Sequence, residues 1–170
     1  MRRLRYNVAA SLDGFIADTN HGYDWLTMDE SIDFTALFAQ FDTFVMGRKT
    51  YDVLRAQGDR DPTKGREVIV FSRTLKPADF PNARVTAEDP AVVVRELKQR
   101  PGKDIWLFGG GDLFRQLLDA GEVDAIEVAV MPILLSAGIP ILPAGERSRA
   151  LRLTHSRTLP SGIVMLEYAA

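Results

Sequence analysis

Short apolar runs recur along the chain at Leu4 to Ala10, Thr43 to Met46, Val68 to Phe71, Ala83 to Thr86, Ile105 to Phe108 and Asp124 to Met131. Runs of this length, bounded by polar or glycine-rich turns, predict strands, and Ile105 to Phe108, apolar on both sides, predicts one buried inside a covered sheet. Between them the apolar period changes to that of a helix. Phe34, Leu37, Phe38 and Phe41 fall at i, i+3, i+4 and i+7 behind Asp29, the predicted N-cap. Tyr51 and Leu54 mark a second helix, and Val93, Val94 and Leu97 a third, capped by Asp89 with Pro90 in its first turn. Leu113, Phe114, Leu117 and Leu118 mark a fourth, with Gly121 placed to stop it. Near the end, Leu151 to Leu159 and Ile163 to Tyr168 flank Pro160-Ser161-Gly162 and predict a β-hairpin, while Pro132 to Pro143 is predicted as loop. Alternating strands and helices followed by antiparallel strands predict an α/β fold. It is a mixed, mostly parallel central sheet with helices on both faces, in one domain spanning residues 1–170.

Composition removes several function classes. Lys plus Arg number 21 against 23 Asp plus Glu, a formal charge of −2, so no basic footprint for nucleic acid or an anionic membrane is expected. The chain has no cysteine and two histidines, His21 and His155, which leaves no thiolate chemistry and little for a metal site. Arg2, Arg3 and Arg5 precede an apolar stretch, but Asp13 interrupts it before a secretory core forms. No run reaches membrane-spanning length, and a cytoplasmic protein is predicted.

Candidate chemistry sits where strands give way to helices. Phe108-Gly109-Gly110-Gly111-Asp112-Leu113 joins the Ile105 strand to the fourth helix. Glycines there allow close approach to a ligand, and a helix N-terminus offers unpaired N–H groups to phosphate. A dinucleotide fingerprint of the Rossmann kind does not fit, because Phe114 occupies the third glycine position and Ala129 to Leu134 lack the ribose-binding carboxylate. Gly47-Arg48-Lys49-Thr50 forms a second such junction, and Ser72-Arg73-Thr74 places a hydroxyl and a cation past a third strand. Together they describe a site for one anionic ligand.

Taken in order, Ala9 to Ala17, Met46 to Tyr51, Val68 to Thr74, Phe108 to Phe114 and Pro132 to Leu142 resemble the dihydrofolate reductase-like superfamily. Within it, the chain most resembles the C-terminal reductase domain of bacterial bifunctional riboflavin deaminase-reductases. The resemblance spans nearly the whole chain and implies an eight-stranded mixed sheet, NADPH as cofactor, and hydride transfer to a C=N bond of a pteridine or aminopyrimidine. It places Gly47, Arg48, Lys49 and Thr50 at the cofactor phosphates, and Ser72 and Arg73 at the adenosine end with its 2′-phosphate. Phe108 and Gly109 to Leu113 would cradle the pyrophosphate, with a cis peptide between the first two glycines. Ala10 and Ile16 would lie against the nicotinamide.

The substrate side matches less closely. Glu30, and after it Asp33, are the candidates for the carboxylate that protonates the substrate, although acids in a helix's first turn also serve its dipole. Arg60-Asp61-Pro62 only partly echoes the Asp-Asp-Pro segment of riboflavin reductases, and these 170 residues hold no zinc-binding His and Cys pattern of a deaminase domain. The expectation is an NADPH-dependent reductase of a small heterocycle; the alternative is a nucleotide-binding protein of the same fold without turnover. Gly110 is expected to resist alanine. The apolar runs Pro132 to Leu135 and Ile139 to Leu142 either seek a partner, giving a homodimer of the kind the resemblance implies, or fold back onto the core or line the substrate pocket.

Overall fold

The computed structural model describes residues 1–58, 61–145 and 148–170. Its centre is an eight-stranded sheet of β1 (Leu4–Ser11), β3 (Phe41–Gly47), β4 (Glu67–Phe71), β5 (Arg84–Thr86), β6 (Asp104–Gly109), β7 (Ala125–Met131), β9 (Arg152–Thr158) and β10 (Val164–Ala169). The order is β5-β4-β3-β6-β1-β7-β10-β9. Strands β5 through β7 run parallel, and β10 pairs antiparallel with β7 and β9. The mixed, mostly parallel sheet and its terminal antiparallel hairpin are therefore as predicted.

Helices cover both faces because adjacent residues of a strand point to opposite sides. In β3, Val45 joins Ile69, Leu107 and Tyr6 in one core with α3 (Pro90–Gln99) and α4 (Gly111–Asp119). Its neighbours Phe44 and Met46 join Val68, Val70 and Trp106 in a second core under α1 (Phe34–Phe38) and α2 (Arg48–Ala56). Leu113, Phe114, Leu117 and Leu118 of α4 are all buried, worth about 2 kcal/mol each. Phe114 stacks on Tyr6 with centroids 3.9 Å apart, and burial raises the Tyr6 phenol above its ordinary pKa.

Two predicted boundaries are corrected. The first helix is one turn long and is capped by Asp33, whose carboxylate accepts from the Ala36 N–H at 2.9 Å. Asp29 is used elsewhere: it accepts from the Ser31 N–H and hydroxyl and, at 2.9 Å, from the Ser161 N–H in the β9–β10 turn. Phe41, counted as the helix's last apolar position, instead opens β3 opposite Asp104 and is buried against Trp106. The second correction lies in the Pro132–Pro143 segment, where β8 (Ile139–Pro140) pairs with β2 (Phe15–Ala17). Ile133, Ile141 and Leu142 pack on the core, so these runs mostly fold back; Leu134 stays 65% exposed.

Candidate cofactor site at the carboxyl edge of the sheet

Parallel strands bring their carboxyl ends to one edge, and that is where ligands of open α/β sheets bind. Here β3 and β6 are neighbours, and each passes straight into a helix: Gly47 is the N-cap of α2 and Gly110 the N-cap of α4. Neither cap has a side chain to satisfy the first N–H groups of its helix. The two helix starts abut, since a Cβ on Gly47 would lie 3.9 Å from the Gly110 nitrogen. Partial positive charge from both helices therefore falls on one small volume.

Thr50, in the first turn of α2, closes one side of this seat, its hydroxyl 3.2 Å from where a Cβ on Gly109 would stand and 3.5 Å from one on Gly110. The Gly109–Gly110 peptide is cis, as the resemblance implies. Gly109 has φ +139°, which only glycine adopts readily, whereas Gly110 is extended. The crowding expected at Gly110 falls on its neighbour: a Cβ on Gly111 would stand 2.9 Å from the Pro143 ring and 3.2 Å from the Pro140 carbonyl. Phe108 turns away into the aromatic cluster with Phe44 and Trp106. Leu113 is a core residue, so it can offer the seat its backbone N–H alone. Asp112 is exposed on the first turn of α4.

Cations flank the seat toward β4. Arg48 donates to the Thr74 hydroxyl at 2.8 Å and lies 3.5 Å from Asp52. The Ser72 hydroxyl accepts from the backbone of Thr74 and Leu75, which curls the loop and leaves Arg73 exposed at its tip. Among the described residues neither Lys49 nor Arg73 has an ion-pair partner. On the other side Ala10 is buried at the end of β1, and Ile16 is half-buried in β2. The residues present thus fit a dinucleotide with an extra phosphate: a glycine cradle, two open helix starts and two uncommitted cations.

The carboxylates singled out at the substrate side do not converge with this seat in the same way. Glu30 is exposed, and Asp33 is occupied in capping α1. Of the Arg60-Asp61-Pro62 segment, Arg60 lies outside the described residues, and Asp61 accepts from Thr63. Sequence reasoning missed the roles of Ser11, Asp13, Pro140 and Pro143. The signal for the first two was the Ser-x-Asp-Gly spacing, which favours side-chain bonds to nearby backbone. A trough of about 600 Å³ lies away from the seat, between α1 and β10; of the residues that line it, the buried Arg5 and the half-buried Asn7 both donate to the buried Glu127. Among the described residues no cluster of metal ligands occurs, and no helix is long and apolar enough to cross a membrane.

A sheet of this order, with glycine-started helices at adjacent strand ends, is the dihydrofolate reductase-like fold. The chain belongs to the RibD C-terminal domain family, which matches residues 2–165. It is 34% identical to the Bacillus subtilis protein YyaP over 98% of this chain and 94% of that one. Among solved structures, a Shewanella sp. PV-4 protein provisionally assigned to riboflavin biosynthesis superposes with a TM-score of 0.84 and 25% identity, covering 99% of this chain and 98% of its own. The Thermotoga maritima diaminohydroxyphosphoribosylaminopyrimidine deaminase/5-amino-6-(5-phosphoribosylamino)uracil reductase superposes with a TM-score of 0.70 at 18% identity, covering 99% of this chain and 56% of that one.

Proposed function

We propose that the protein is an NADPH-dependent reductase of a small heterocycle, a pteridine or aminopyrimidine bearing a C=N bond. The observation that carries this is the pair of uncapped, glycine-started helices at the ends of β3 and β6, flanked by Lys49 and Arg73, which have no ion-pair partner among the described residues. In this reading Gly47 to Thr50 and Gly109 to Leu113 hold the pyrophosphate. Ser72 and Arg73 meet the 2′-phosphate, and Ala10 and Ile16 flank the nicotinamide. The bound cofactor supplies the hydride. Proton delivery falls to Glu30, in the turn before α1, or to Asp33, the α1 N-cap. The chemistry resembles the reductase step of riboflavin synthesis, in the cytoplasm. A homodimer formed through the sheet accords with β9, the outer strand, whose seven residues are all exposed; a monomeric mass in solution at micromolar concentration would refute it.

Calorimetric titration of NADPH and NADH tests the cofactor assignment. Arg73→Ala should weaken NADPH by about 10- to 100-fold, the worth of a charge-assisted hydrogen bond, and leave NADH nearly unchanged. Equal losses for both would remove Arg73 from the 2′-phosphate site. One observation favours a second reading, binding without turnover. The buried carboxylate before α1, Asp29, has both oxygens engaged by Ser31 and Ser161, and Glu30 is exposed. Tight NADPH binding with no oxidation across a panel of pteridines and aminopyrimidines would support that reading instead.

A further inference from the structure

The segment Ser11 to Ala17 turns the chain at the end of β1, beside the place where the proposed reading puts the nicotinamide. Asp13 lies in this turn, exposed to solvent, yet its carboxylate has three partners. Oδ1 accepts from the buried Ser11 hydroxyl at 2.6 Å and from the Leu135 N–H at 3.1 Å. Oδ2 accepts from the Ser136 N–H at 2.7 Å. The Ser11 oxygen in turn accepts from the Phe15 N–H at 2.9 Å, so one carboxylate and one hydroxyl fix the turn from inside.

The partners Leu135 and Ser136 belong to the loop after β7, far away in sequence. Ser136 holds φ +64°, a conformation that costs a non-glycine residue energy and is held by its surroundings. Further bonds bind the loop to the turn: the Leu12 N–H to the Ile133 carbonyl at 2.9 Å and the Ile141 N–H to the Gly14 carbonyl at 2.8 Å. The same loop continues through β8 to Pro140 and Pro143, which press on Gly111 at the start of α4. A continuous wall thus runs from the phosphate seat, through β8 and β2, to the end of β1, and Asp13 joins its two halves. A neutral side chain cannot do this, since three donors converge on it and an amide would turn one N–H of its own toward another donor.

We propose that Asp13 is a positioning residue for the nicotinamide end of the cofactor site, holding the Ser11–Ala17 turn and the 132–138 loop as one surface. This rests on the reading of the site as an NADPH site. The adenosine and 2′-phosphate end, at Ser72 and Arg73 past β4, lies across β6 and β3 from this wall, so loss of Asp13 leaves it intact.

The test compares two probes on wild type, Asp13→Ala and Asp13→Asn: NADPH, and 2′-phospho-ADP-ribose, which lacks the nicotinamide. Affinities are measured by calorimetry, with urea midpoints as a check on folding. Asp13→Ala should weaken NADPH about tenfold and shift 2′-phospho-ADP-ribose by less than about twofold; Asp13→Asn, which keeps part of the network, should fall between. Should the alanine variant not fold, the asparagine variant carries the same comparison. If both probes weaken alike, or neither does while the urea midpoint falls, Asp13 only stabilises the fold and the proposal is overturned. Wild-type protein that binds neither probe would overturn the NADPH reading itself, and this inference with it.

Discussion

Arg5 and Glu127 face each other across β1 and β7 with side chains only 9% and 10% exposed, joined twice, at 2.6 and 2.9 Å. Burial works against the charge on Arg5, and Glu127 and then Asp104 more than offset it, holding the guanidinium above its ordinary pKa. Replacing Arg5 by Met leaves the Glu127 carboxylate in the sheet with one remaining donor, the Asn7 amide at 2.6 Å. Removing one partner of a buried pair costs about 3–5 kcal/mol, against about 5–15 kcal/mol for the whole fold. At this chain length that corresponds to a fall in Tm on the order of 10 °C.

Glu127→Leu should cost less. Arg5 would keep the Gln40 side-chain oxygen at 2.7 Å, Asp104 at 3.4 Å and the Phe41 ring at 4.6 Å. The double variant, with no buried charge left unpaired, should return to within about 1 kcal/mol of wild type. Urea unfolding of the four proteins gives the cycle, with an expected coupling of at least about 2 kcal/mol. Single effects that add to within about 0.5 kcal/mol would show that the two charges do not depend on each other, and the reasoning would fail. NADPH affinity serves as a control and should not change.

Gly111→Ala should destabilise by about 1–3 kcal/mol through the Pro143 contact, although alanine is the better helix former; an unchanged urea midpoint would mean that the 140–143 segment moves aside freely. Hydrogen bonds from Ser161 and Ser31 hold the Asp29 carboxyl well below the usual carboxylate range. A carboxyl with a lowered folded-state pKa adds stability above its unfolded pKa and loses it as pH falls through the folded value. Wild-type stability should therefore decline below about pH 4, and Asp29→Ala should be less stable at neutral pH with a shallower acid slope. Parallel acid curves for the two proteins would contradict this.

Much of the architecture follows from local pattern. Asp89 and Pro90 start α3, four apolar residues at helical spacing define α4, and Pro160-Ser161-Gly162 turns the last hairpin, because caps, periods and turn residues act over a few positions. The glycine junctions at Gly47 and Gly109 to Gly111 were legible for the same reason: a strand run, glycine and a helix run are adjacent in the chain. Tertiary structure decided what depends on distant partners. Phe41 satisfies a helical period, yet it pairs in β3, where sheet hydrogen bonds and the Trp106 ring outweigh one more helical turn. Asp29 could cap a helix, yet the Ser161 N–H from the last hairpin claims it. Whether the glycine junctions form one site depended on β3 and β6 becoming neighbours, and the crowding of Gly111 on where Pro143 comes to rest. Local residue types set which groups could bind an anion; only the strand order put two helix N-termini side by side so that their charges act together.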